Sequence, residues 1–240
     1  GNPIYTFANA DWRVLKVDGD QALILKVNPL TELEAYGSGS TGSTNVPFLS
    51  EKAQGALSDG NITFNPDENI VGSRNQFYFD SDGSNGYQDS GLAAGYGLKA
   101  VIDYYYAHTL INYESKILTV NLHDPTLAKF QSGVLYNEWT WDPEWCVDTR
   151  FASTVDAIDG SQQAFALSYG DINNNLTVVD TGDGVYASLL DFPTDYAFWL
   201  RSAGDFYTNA GFVEKGIINC AENYVYGSRF VRPALWVKLD

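Results

Sequence analysis

Three tryptophans in one short stretch carry the most suggestive chemistry in the sequence. Trp139, Trp141 and Trp145 are interleaved with Glu138, Asp142 and Glu144. That mixture suits a sugar, because an indole stacks on the apolar face of a pyranose while carboxylates accept its hydroxyl hydrogens. On an extended strand Trp139 and Trp141 point to one side, and Glu138, Thr140 and Asp142 to the other. Pro143 cannot donate to a ladder and ends such a strand, leaving Trp145 on the turn that follows. The same alternation serves two core indoles, so the segment reads either as a ligand platform of Trp139, Trp141, Trp145, Glu138 and Glu144 or as a buried strand.

Oxygen-rich turns raise a second chemistry, Ca²⁺ binding. Asp80-Ser-Asp82-Gly-Ser-Asn85-Gly sets acidic groups two positions apart, and Asp89 replaces the Glu that closes an EF-hand loop. Its glycines are out of step with that loop, and a solvated turn accounts for the same residues. Asp80, Asp82 and Asp89 are therefore metal-ligand candidates set against a plain turn, and no other cofactor is expected. Asp171-Ile-Asn173-Asn-Asn175 opens in the same way but has Leu176 where the loop requires glycine.

Catalytic signatures are missing from the sequence. It contains no Gly-x-Ser-x-Gly, no P-loop and no Gly-x-Gly-x-x-Gly opening a helix. Cys146 and Cys220, with His108 and His123, show no zinc-ligand spacing. The cysteines read as one disulfide or as two buried thiols. Pairing Cys146 with His123 as nucleophile and base would be a choice among four residues and carries little specificity. Thirty acidic side chains make some close carboxylate pair inevitable. Only a pair in a cleft beside aromatics would argue for a hydrolase.

Charge narrows the partners. Fourteen basic against thirty acidic residues give a net charge of −16, which repels nucleic-acid phosphates and anionic lipids. No apolar run approaches the roughly 18–20 residues of a membrane span. Neither nucleic acid nor direct membrane insertion is expected. Gly1 reads as a cleavage remnant, with preceding segments trimmed away.

Several elements must position these residues. Asp18-Gly19-Asp20 between the apolar runs Trp12–Val17 and Ala22–Leu25 predicts a hairpin over Asp11–Lys26. Tyr36–Asn45, rich in Gly, Ser and Thr, predicts an exposed loop. Leu98, Val101, Ile102 and Tyr105 recur at i, i+3, i+4 and i+7, which predicts one buried helical face. A strand ending at Leu167, then a short helix capped by Ser168, is expected within Ser161–Asn174. Strands are predicted at Phe198–Leu200, Ala210–Val213, Gly216–Asn219, Tyr224–Tyr226 and Ala234–Leu239.

The C-terminal motifs Phe198-Trp199-Leu200-Arg201-Ser202-Ala203-Gly204, Gly211-Phe212-Val213 with Gly216-Ile217-Ile218, and Val231-Arg232-Pro233-Ala234-Leu235-Trp236 resemble a bacterial family of unknown function, the DUF6273 type. The opening Trp12-Arg13-Val14-Leu15, the helix around Asp103-Tyr104-Tyr105-Tyr106 and the stretch Phe165-Ala166-Leu167-Ser168 resemble it too. The sequence departs from that pattern at Ala203, which stands for Pro, and at Tyr105, which stands for Trp. The matches run from Asp11 to Leu239, which implies one domain over residues 1–240. That family is similar to the C-type-lectin-like and formylglycine-generating group. The resemblance therefore implies an α+β fold with a twisted antiparallel sheet, one or two principal helices and long irregular loops.

Trp199, Arg201, Arg232 and Trp236 are read as structural, the arginines bracing loops from within, since a buried guanidinium needs carbonyl or carboxylate partners. The leading expectation for function is a non-catalytic extracellular module of a bacterial surface protein, used in adhesion and binding a glycan or a host-surface protein. An enzyme, either a carboxylate hydrolase or a formylglycine-generating-like oxidase, is the alternative. A ligand-free structural spacer is the third reading.

Overall fold

The computed structural model describes residues 3–47, 97–121, 161–168, 171–172, 175–180, 185–191, 196–203, 210–219 and 227–239. In chain order its strands are β1 (Ile4–Phe7), β2 (Ala10–Asp18), β3 (Gln21–Lys26), β4 (Asn45–Pro47), β5 (Val120–Asn121), β6 (Ser161–Gln162), β7 (Ala164–Phe165), β8 (Val179–Asp180), β9 (Val185–Tyr186), β10 (Phe198–Ala203), β11 (Ala210–Glu214), β12 (Ile217–Asn219), β13 (Ser228–Phe230) and β14 (Ala234–Lys238). Among the described residues two α-helices accompany them, α1 (Glu32–Tyr36) and α2 (Leu98–Tyr105).

Turn chemistry builds the N-terminal meander. Phe7 pairs with Ala10, so β1 and β2 are joined by two residues, Ala8 and Asn9, with φ of 49° and 60°. Both lie in the left-handed region that a type I′ hairpin demands. Asn tolerates it; Ala8 is held there by burial, its neighbour Phe7 accepting a hydrogen bond from the Trp12 indole (2.9 Å). The expected Asp-Gly hairpin is present: Asp18 pairs with Gln21, and Gly19 takes the positive φ (61°) at the turn. The same solution recurs between β11 and β12, where Lys215 and Gly216 have φ of 49° and 77°.

One sheet runs β1-β2-β3-β14-β7 with every pairing antiparallel. The central strand β3 is apolar from Ala22 to Leu25 because both its faces are covered. Ala22 and Ile24 join one buried cluster with Trp12, Leu235 and the inner face of α2. Leu23 and Leu25 join another with Phe165, Phe198, Leu200 and Ala234. A second sheet runs β4-β13-β10-β11-β12-β9-β8 and is mixed, since β10 and β13 are parallel. A short pair, β5-β6, stands apart.

The periodicity that predicts a helix is realised in α2: Leu98, Val101, Ile102 and Tyr105 are all buried. The helix continues as a π turn over Tyr106–Leu110 and a 3₁₀ turn over Ile111–Tyr113. The fold class is thus α+β, two sheets with few helices. Among the described residues, no helix is long and apolar enough to cross a membrane.

Three short elements differ from the sequence reading. The loop expected over Tyr36–Asn45 is flanked by structure: Tyr36 closes α1, Asn45 opens β4, and Gly37–Ser43 between them is exposed. β7 stops at Phe165 rather than Leu167, whose carbonyl instead accepts the Arg201 amide of the second sheet (2.9 Å). β13 forms at Ser228–Phe230, where no strand was expected, while the expected strand Tyr224–Tyr226 lies outside the described residues.

Candidate functional site

The tryptophan segment, Trp139, Trp141 and Trp145 with Glu138 and Glu144, lies outside the described residues, as do Asp80, Asp82, Asp89, Cys146, Cys220 and His123. The second Ca²⁺ candidate is partly described and is occupied by protein contacts. Asp171 and Ser168 cap one another, Ser168 N donating to Asp171 Oδ2 (2.8 Å) and Asp171 N to Ser168 Oγ (3.0 Å). The same Oδ2 is ion-paired with Arg201, and Asn175 Oδ1 accepts from Lys16 Nζ (3.1 Å). These contacts hold the described ends of the stretch, Asp171 and Asn175, to protein groups. Among the described residues no three His, Cys, Asp or Glu side chains come together to hold a metal.

The four residues read as structural lie in or against the core. Trp199 is buried, and its indole donates to Val46 O (2.8 Å), tying β10 to β4 across the intervening β13. Arg201 is 2% exposed and donates to Ala166 O and Asp171, with its guanidinium over the Phe165 ring (5.3 Å). Arg232, 1% exposed, donates from Nε to Lys26 O (2.8 Å) and lies over Phe198 (4.8 Å). Burial, helped by the nearby charge of Arg13, pulls the Arg232 guanidinium down to about 9, which leaves it protonated at neutral pH. Trp236 is half-buried against the Leu23–Leu25 cluster.

A cleft opens where β3 hands over to α1. Lys26 ends β3, and the chain turns through Asn28 and Pro29 into α1. Backbone bonds hold that turn on three sides: Val27 N to Asp11 O (2.8 Å), Leu30 N to Val231 O (2.8 Å) and Thr44 N to Leu30 O (3.1 Å). The exposed Gly37–Ser43 loop folds back over it, with Leu33 N donating to Ser40 O (3.1 Å) and Glu32 N to Gly42 O (3.1 Å). Between these segments and the β1–β2 turn lies a cleft of about 390 Å³, lined by Asn9, Ala10, Asp11, Lys26, Asn28, Pro29, Thr31, Glu34, Thr41 and Ser43.

The floor of the cleft is a closed polar network. Thr31 and Glu34 form a capping box, Glu34 N donating to Thr31 Oγ1 (3.1 Å) and Thr31 N to Glu34 Oε2 (2.8 Å). Lys26 is 5% exposed; its ammonium donates to Asn28 O (3.2 Å), Pro29 O (3.5 Å) and the Glu34 carboxylate (3.3 Å). Burial lowers the Lys26 pKa, and Glu34 opposes that shift. Tyr105 of α2 packs its ring 5.7 Å from Lys26 Nζ, and burial, with Glu34 adding to it, raises its phenol pKa. The rim is different. Asn9, Asp11, Asn28, Thr41 and Ser43 are exposed side chains that present amides, hydroxyls and one carboxylate to solvent.

Sequence reasoning missed this cleft, yet two signals for it were present. Thr31-Glu32-Leu33-Glu34 is a capping-box pattern. Lys26 continues the inward register of Ala22 and Ile24, where a charge requires a partner. No protein-family model, curated protein or solved structure matches the chain.

Proposed function

We propose that this chain is a non-catalytic, extracellular recognition module of a bacterial surface protein that binds a glycan, and that it is one DUF6273-type domain of C-type-lectin-like architecture. The observation that carries the reading is the division of polar groups at the cleft. Beneath it Lys26 and Glu34 are held by one another and by backbone groups, whereas the rim offers exposed amides and hydroxyls together with one carboxylate, Asp11. A volume of about 390 Å³ falls in the range of small-molecule sites and suits one or two sugar rings.

The Trp12–Leu15 motif and the closing Val231–Trp236 motif, far apart in sequence, enter one sheet through the β3–β14 pairing. We propose the tryptophan segment, which lies outside the described residues, as a second contribution to glycan binding, since indoles stack on sugar rings.

A glycan array combined with a pulldown on mucin and other host-surface proteins tests the proposal, with Asn28→Ala/Thr41→Ala as the cleft variant. Specific capture that this variant loses would support it. A blank across array and pulldown would overturn it. Trp145→Ala, followed by tryptophan fluorescence during titration with a captured glycan, asks whether the segment adds to the same site.

A further inference from the structure

We infer that the cleft selects electrically neutral, hydroxyl-rich ligands and turns away anionic sugars, with Asp11 setting that preference; the inference rests on the glycan reading above. Among the described lining residues the cation is Lys26, and its ammonium is engaged within the protein. Its three N–H groups are directed at Asn28 O, Pro29 O and Glu34, all within the protein. A carboxylate or sulfate entering the cleft would lose water without meeting an available charged donor. It would also approach the like charge of Asp11.

A neutral sugar meets the opposite conditions. Asp11 stands exposed at the rim, where Thr6 Oγ1 donates to its Oδ1 (3.1 Å) and the carboxylate keeps further acceptor capacity. A carboxylate held this way accepts hydroxyl hydrogens. The Asn9 and Asn28 amides and the Thr41 and Ser43 hydroxyls can each donate and accept, as a ring of alcohols requires. Asn9 reaches the cleft because the β1–β2 turn holds it at a positive φ of 60°.

The test uses sugar pairs that share ring and stereochemistry and differ at C6, where a hydroxymethyl is exchanged for a carboxylate: glucose with glucuronate, and galactose with galacturonate. Each is titrated into the whole protein while backbone amide shifts are followed at Asn9, Asp11, Asn28 and Thr31. The neutral member of a pair is expected to bind about tenfold more tightly at low ionic strength. Raising NaCl to about 0.5 M, where the screening length falls to a few ångströms, should shrink that ratio. Asp11→Asn, which keeps an oxygen for the Thr6 hydroxyl, should weaken the neutral sugar and bring the two members of a pair together. Equal or tighter binding of the acidic member, or discrimination that survives both salt and Asp11→Asn, would overturn the inference while leaving a glycan site in place. Cleft amides that respond to no sugar of either charge would overturn the glycan reading itself and the inference with it.

Discussion

Replacing Arg201 with Met removes a guanidinium that joins the two sheets. Arg201 lies on β10, and its side-chain partners, Ala166 O and Asp171, lie just beyond β7 of the other sheet. The exposures are 2% for the Arg201 side chain and 12% for that of Asp171, so water replaces little of what is lost. Met retains the apolar stem over Phe165 but strands a carboxylate and a carbonyl, and breaking a buried pair from one side costs about 3–5 kcal/mol. For a chain of this length each kcal/mol moves the melting point by about 2–4 °C, giving a drop of about 6–20 °C. Neutralising the stranded partner should recover part of the loss. Arg201→Met/Asp171→Asn is therefore expected to be more stable than the sum of the single substitutions implies, by about 1–3 kcal/mol of coupling. Urea denaturation of the parent, both single variants and the double variant, followed by circular dichroism, measures that cycle. A melting point for Arg201→Met within about 1 °C of the parent's, or strict additivity in the cycle, would refute the bracing role.

Other perturbations carry distinct signs. Thr31→Ala removes one half of the α1 capping box and should lower stability by about 1 kcal/mol in urea denaturation, and it should broaden the amide signals of Glu32–Tyr36. Tyr105→Phe deletes a buried hydroxyl that finds no hydrogen-bond partner among the described residues, so the variant should be as stable as the parent or more stable by about 1 kcal/mol. The native state raises the Tyr105 pKa above 10, so it holds that proton after the unfolded chain releases it; the stability from this source is complete below pH 10 and falls as pH climbs further. Denaturation midpoints between about pH 9 and 11 should then decline less steeply in Tyr105→Phe. Lys26 has the opposite sign: its pKa is lowered from 10.5, so the unfolded chain binds the extra proton and stability rises with pH across the window below 10.5. Lys26→Met should remove that rise, lower stability at neutral pH by stranding Glu34, and make the alkaline decline steeper.

Local signals were legible and non-local ones were not. The Asp18-Gly19 turn and the Leu98–Tyr105 face could be read directly, because each follows from geometry within a few residues. The buried pair Trp199 and Leu200 could be read as well, from an apolar run in a strand pattern. The helix α1 escaped notice because five residues offer no full apolar period, even though Thr31 and Glu34 announce its start. Ser228–Phe230 and Asn45–Pro47 have little intrinsic strand preference and become strands by pairing with each other and with β10. The cleft needed three segments brought together: the β1–β2 turn, the end of β3 and the loop behind α1. Each looks ordinary alone, and no local periodicity encodes their meeting.

The place of β14 in the first sheet carries a consequence for how the chain is made. Lys26 and Arg232 are 206 positions apart yet share a hydrogen bond, and β14 fills the slot between β3 and β7. A chain emerging in order from the ribosome can form its first three strands at once. It then waits for nearly all the remaining residues before the middle of that sheet can close. Throughout the wait, β3 presents the open edge of Ala-Leu-Ile-Leu, a template for pairing with a neighbouring nascent chain. Quality control during synthesis therefore bears on Ala22–Leu25. Damage to β14 would surface as self-association through that edge before it surfaced as a lower melting point.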